Sequence, residues 1–120
     1  MSSDRLIDHI DRMYDAAALA CAYVEGMSKS EFLGDKRTQQ AVILNLMLIG
    51  EIAAGLLRDH ASFLDEHPES PWREMRGMRN RIAHGYYEID LDVVWETVQA
   101  ALPNLLVSLA PLRGAGRPDQ

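Results

Sequence analysis

"AVILNLMLIGEIAAGLL", residues 41–57, decides the fold. Its apolar residues cover most sides of a helix rather than one stripe, the pattern of a central helix packed from several directions. The spacing predicts a long helix from about Asp35 to Arg58. Toward the N-terminus, Leu6, Ile7, Ile10, Met13, Tyr14, Ala17 and Cys21 recur at helical spacing. They predict a first helix from a Ser2/Ser3 cap to about Glu25. Between the two, "EGMSKSEFLGDKRT" (25–38) breaks the pattern at Gly26 and Gly34. It reads as a connection with a short turn capped by Ser30. On the other side, "DHASFLDEHPESPW" (59–72) is a looser connection with room for one helical turn.

A third helix is expected from Ser70 to His84–Gly85. Ser70 suits the cap, Pro71 the first helical position, Glu74 the first turn and Gly85 the C-terminal cap. A fourth begins near Asp90, with Leu91, Val94, Trp95, Val98, Leu102, Leu105 and Leu109 on its apolar face. Pro103 lies inside that pattern and cannot donate to the carbonyl of Gln99, so a kink or restart is expected there. No strand pattern or repeat stands out. The fold class is all-α, an up-and-down bundle of four main helices over residues 1–112. The tail "RGAGRPDQ" (113–120) lacks core-forming residues and is expected to be disordered.

The chain has 120 residues, enough for one domain with a continuous core. Its net charge of −6 argues against broad, non-specific binding to nucleic acid. Charge is nevertheless uneven. From Trp72 to Gly85 there are four arginines, Arg73, Arg76, Arg79 and Arg81, against one acid, Glu74. The start, "MSSDRLIDHIDRMYD", does not resemble a signal peptide. The apolar run "AVILNLMLIG" is broken by Asn45 and followed by Glu51, and reads as too short and polar to span a membrane. A cytoplasmic location is expected. Cys21 is the single cysteine and reads as a small core residue.

Projected at 100° per residue, Trp72, Met75, Met78 and Ile82 form a core face. Arg73, Arg76, Asn80 and His84 gather on another face with Gly77. The absence of a side chain at Gly77 suits the close approach of a backbone or ligand. Arg79 lies at the edge of the apolar stripe, about 140° from His84 on a regular helix. For both to act on one substrate, the helix must loosen near His84, Arg79 must reach around, or a second subunit must complete the site. Glu51, between apolar flanks, needs a partner if buried, and Arg79 is the candidate. The other reading places Glu51 at a solvent edge. By spacing alone, His84 reads first as a helix C-terminal histidine meeting the dipole, and Tyr86 and Tyr87 suit packing past the helix end. His60 and His67 with acids between them hint at metal, but no third ligand has convincing spacing. No metal or cofactor site is expected.

Together, "LIGEIAAGL" (48–56) and "SPWREMRGMRNRIAHGYYEIDLDVVWETV" (70–98) resemble the HepT-like branch of the HEPN superfamily. The resemblance spans nearly the whole chain. Its most specific element is Arg-x4-His-x-Tyr, at Arg79, His84 and Tyr86. It implies a homodimeric, metal-independent ribonuclease, the toxin of a type VII toxin–antitoxin pair. Arg79 and His84 would form the active site, in a groove where two subunits meet. The implied partner is a nucleotidyltransferase antitoxin that adds AMP to Tyr86. The chemistry is consistent with this. RNA carries its own nucleophile, the 2′-OH. Histidine suits acid–base work near neutral pH and arginine offers a fork of donors to phosphate. Asn80 would orient His84 or the substrate, and Arg73 and Arg76 would bind flanking phosphates. The alternative is a non-catalytic adaptor that binds a nucleotidyltransferase or nucleotide through the same groove.

Overall fold

A computed structural model describes residues 2–83 and 88–114. The described chain is all-α. Two long helices, α1 (Ser2–Tyr23) and α3 (Lys36–Asp59), pack against each other. Between them lies the short α2 (Lys29–Leu33). Its cap is Ser28 rather than the expected Ser30. The Ser28 hydroxyl accepts from the Glu31 amide, and the Glu31 carboxylate accepts from the Ser28 amide. Asp35 caps α3 by accepting from the Thr38 amide. The expected turn after α3 is α4 (Ala61–Asp65).

The third expected helix is two short ones, α5 (Trp72–Arg76) and α6 (Met78–Ile82), parted at Gly77. Ser70 does not cap α5. Its side chain is buried, with the hydroxyl 2.6 Å from that of Ser108. A buried hydroxyl needs a partner, and the C-terminal helix supplies it.

The fourth region starts as expected, with Asp90 accepting from the Val93 amide at the head of α7 (Leu91–Glu96). A π-helical turn, Thr97–Ala101, follows, and then α8 (Leu102–Leu109). This wide turn is how the chain accommodates Pro103. The Leu102 amide reaches back to the Thr97 carbonyl, five residues away, just before the residue that has no amide to donate. A last 3-10 turn covers Ala110–Leu112. Beyond it, the Arg113 guanidinium lies 4.0 Å above the Tyr14 ring and the Gly114 amide donates to Asp11. Residues 115–120 lie outside the described part.

One core joins all these elements. Ile10, Met13, Phe32, Val42, Leu46, Ile49, Ile82, Val94, Leu102 and Leu109 are each fully buried. Phe32 stacks on Trp95, with ring centroids 5.3 Å apart, and ties α2 to α7. Cys21 is partly buried, and burial pushes its thiol up from its ordinary value. By length and composition, α3 and the run Leu91–Leu112 could each cross a bilayer. In α3 that apolarity is core-facing: Val42, Leu46, Ile49, Ala53 and Leu56 are buried within the bundle.

Candidate active site

The four residues projected as a core face do form one. Trp72, Met75, Met78 and Ile82 are all buried. Full burial of a side chain the size of Ile82 stabilises by about 1.5–3 kcal/mol, so α6 is firmly seated despite its length. Met78 and Ile82 point inward at a spacing of four. Arg79, Asn80 and Arg81 are therefore turned to solvent.

α3 makes the seat close. Gly50 faces α5 and α6, and a Cβ built on it would lie 3.1 Å from the Met75 carbonyl oxygen and 3.7 Å from the Met78 Cβ. Gly50, not Gly77, is therefore the glycine that permits close approach. At Gly77 a built Cβ would meet only carbonyls of its own turn, at 3.6 and 3.7 Å. Gly77 instead marks the break between the two helices.

Helix α6 ends sooner than the sequence suggested. Ala83 is extended, with φ −118° and ψ 122°. It pairs with Ile89 in an antiparallel bridge, and the Asp90 amide donates to the Ile82 carbonyl at 2.7 Å. Ala83 and Ile89, which flank residues 84–87 in sequence, are thus neighbours. His84 and Tyr86 lie within that stretch, outside the described residues. The 140° separation of Arg79 and His84 holds only on a regular helix, and the helical register stops one residue before His84. The regular helix therefore ends at Ile82, before His84 is reached.

The basic residues do not form one face. Arg73 and Arg76 line a groove of about 540 Å3 with Asp65, Glu69 and Glu74, beneath the connection that contains α4. Three carboxylates against two guanidinium groups make that groove a weak phosphate site. Arg81 lines a separate hollow with Asp90, Asp92 and Glu96, and directs Nη2 to the Met78 sulfur at 3.5 Å. Arg79 and Asn80 border neither space. Among the described residues, none of these four arginines enters an ion pair.

The expected bond between Glu51 and Arg79 is not formed. Both side chains are exposed, and no ion pair joins them. Glu51 lies on α3 next to Gly50 but is turned outward, into a groove shared with α1. It is the solvent-edge reading that applies, and among the described residues the Arg79 guanidinium has no ion-pair partner. His60 and His67 do not face a common centre. His60 lines the α1–α3 groove, whereas His67 packs on the Phe63 ring and approaches Glu69 at 3.4 Å.

Sequence reading missed Gly50 and the Ala83–Ile89 bridge. "LIGEIAAG" held the signal for the first, a glycine inside a core helix. The bridge had no local signal.

Comparison with known proteins identifies the family. The family model described as "Ribonuclease HepT-like" matches residues 13–111. The chain is 37% identical to the "Probable ribonuclease HepT" of Thermococcus cleftensis over 106 residues, 88% of this chain and 94% of that one. It is 37% identical to a candidate RNase of Methanocaldococcus jannaschii over 68% of this chain and 65% of that one. A candidate RNase of Caldanaerobacter subterraneus subsp. tengcongensis is 32% identical, over 68% and 70%. No solved structure gives a significant match. The chain therefore belongs to the HepT-like ribonuclease family of the HEPN superfamily, and its enzyme class is endoribonuclease.

Proposed function

We propose that Arg79 and His84 cleave RNA without a metal. The 2′-OH of RNA attacks the adjacent phosphorus as His84 takes its proton. The bond from phosphorus to the 5′-oxygen breaks, and that oxygen receives a proton. The products are a 2′,3′-cyclic phosphate and a 5′-hydroxyl. Arg79 holds the phosphate oxygens as charge builds on them. In a homodimer whose groove lies between subunits, a second His84 serves as the acid.

One observation carries this reading: Arg79 is exposed, and without an ion pair among the described residues, on a core-anchored helix that ends at Ile82, two residues before His84. Glu51, the matching acid by sequence, is turned away. Asn80 is exposed beside Arg79 and suits orienting the substrate. Arg73 and Arg76 are assigned a lesser part, contacts to flanking nucleotides, because acids share their groove.

The family resemblance supports a cellular role as the cytoplasmic toxin of a type VII pair. A nucleotidyltransferase antitoxin neutralises it by adding AMP to Tyr86, two residues after His84. The added phosphate brings negative charge and bulk to the place where RNA phosphate must sit. Expression of the chain alone is expected to arrest growth, and His84→Ala to relieve the arrest. A His84→Ala variant as toxic as wild type contradicts the reading. If purified chain cleaves no RNA yet binds the transferase tightly, the adaptor reading replaces it.

A further inference from the structure

Asp90 stands at the joint between the end of α6 and the start of α7, and its groups bond in both directions. Its amide donates to the Ile82 carbonyl at 2.7 Å. Its carboxylate accepts from the Val93 amide at 3.1 Å, and its carbonyl accepts from the Val94 amide at 3.1 Å. The last two bonds start α7, whose Val94 is fully buried and whose Trp95 stacks on Phe32. The first satisfies a carbonyl that a helix end leaves open. Asp90 therefore fastens the end of α6 to a helix seated in the core.

Helix α6 needs this fastening. It has 5 residues, Met78–Ile82, and so short a helix does not hold itself in water. Ala83 and Ile89 add only an isolated bridge. At the same end, the Ala83 amide donates to the Arg79 carbonyl at 3.0 Å. The backbone of Arg79 is thus tied to the residue that precedes His84, and the Ile82–Asp90 bond keeps that tie from fraying. Covalent geometry puts the His84 Cα about 3.8 Å from that of Ala83. Whatever fixes Ala83 therefore fixes where His84 begins. An acid–base group is sensitive to this, since a displacement of about 1 Å can cost on the order of a hundredfold in rate. The neighbouring Asp92 is engaged elsewhere, 3.0 Å from the Lys29 ammonium.

We infer that Asp90 is a positioning residue for RNA cleavage: its carboxylate caps α7 and so aims its own amide at the Ile82 carbonyl, which sets where His84 starts relative to Arg79. The inference rests on the Arg79–His84 reading above and adds a residue to it. Asp90 acts through the backbone. Without the carboxylate, the first turn of α7 loosens and the amide of residue 90 loses its aim.

Cleavage kinetics and amide hydrogen exchange on the full chain test this, with Asp90→Ala, Asp90→Asn and Asp35→Ala. The last removes an equivalent cap at the head of α3 and controls for lost stability. All are assayed where circular dichroism shows them folded. Asp90→Ala should lower kcat about tenfold or more and leave KM within about twofold, because a misplaced acid–base group slows the chemical step. Asp90→Asn, which also caps a helix, should keep the rate within about threefold, and so should Asp35→Ala. In Asp90→Ala, the amides of residues 83 and 90 should lose about tenfold more protection than the Leu46 amide, which reports opening of the core. Cleavage by Asp90→Ala at the wild-type rate overturns the inference. So does an equal loss in Asp35→Ala or Asp90→Asn, or protection at residues 83 and 90 that falls only as far as at Leu46. A wild type that cleaves no RNA contradicts the ribonuclease reading instead. The exchange pattern then still decides whether Asp90 holds the end of α6.

Discussion

Gly50 of α3 faces the carbonyl oxygen of Met75 so closely that a methyl group there would lie 3.1 Å from it. This contact sets how near α5 and α6 come to the central helix, and so where Arg79 stands. A backbone carbonyl cannot swing aside as a side chain does. Gly50→Val should cost about 1–3 kcal/mol, the usual range for overpacking. Thermal unfolding measures that loss.

Gly77 should respond in the opposite way. Its φ of −81° is open to any L-residue, and a Cβ would make ordinary contacts at 3.6–3.7 Å. Gly77→Ala should stabilise by about 0.4–1 kcal/mol through the unfolded chain. The two glycines, compared in one denaturation experiment, should shift the midpoint in opposite directions.

Ser70 and Ser108 join the start of α5 to α8 through a hydrogen bond of 2.6 Å. Ser70→Ala should cost roughly 1 kcal/mol, and Ser108→Ala slightly more, because its hydroxyl also donates to the Leu105 carbonyl at 3.0 Å. Because the two share one bond, the double variant should lose less than the sum. A double-mutant cycle reads this directly.

Hydrogen bonds from the Thr38 hydroxyl and amide hold the Asp35 carboxyl below its ordinary value. A depressed carboxylate contributes stability that is complete above its unfolded pKa and lost as pH falls through the folded value. Asp35→Asn should therefore flatten the acid limb of the stability curve below roughly pH 4. It should leave the neutral region nearly unchanged, since Asn also caps helices. Urea midpoints across that range check the slope.

Much of the fold was legible because it is written in local patterns. The periodicity of α1 and the apolar run of α3 place both long helices within two residues or so of their observed ends. Asp90 as a cap and Pro103 as a disturbance were also readable, since each acts through its own backbone. The core stripe Trp72, Met75, Met78 and Ile82 was correct for the same reason. What failed depended on neighbours distant in sequence. Ser70 has a good capping position, but Ser108 takes its hydroxyl. Glu51 has apolar flanks, yet the side of α3 it occupies is decided by how α1 and α5 pack. The early end of α6 follows from pairing of Ala83 with Ile89, a tertiary contact. Arg79 and His84 are assigned as a pair through the family motif, and Asn80 by its shared helical face with His84; helix geometry alone separates Arg79 from His84.

The central claim is that Arg79 and His84 cleave RNA through the 2′-OH. Purified wild type, Arg79→Ala and His84→Ala should each be incubated with a labelled RNA in excess chelator, and the product ends determined. The account predicts wild-type products ending in 2′,3′-cyclic phosphate and at least about a hundredfold loss in each variant, consistent with removal of an acid–base group or of charge stabilisation at the phosphate. Cleavage by either variant at the wild-type rate, or wild-type cleavage that stops in chelator, would contradict it.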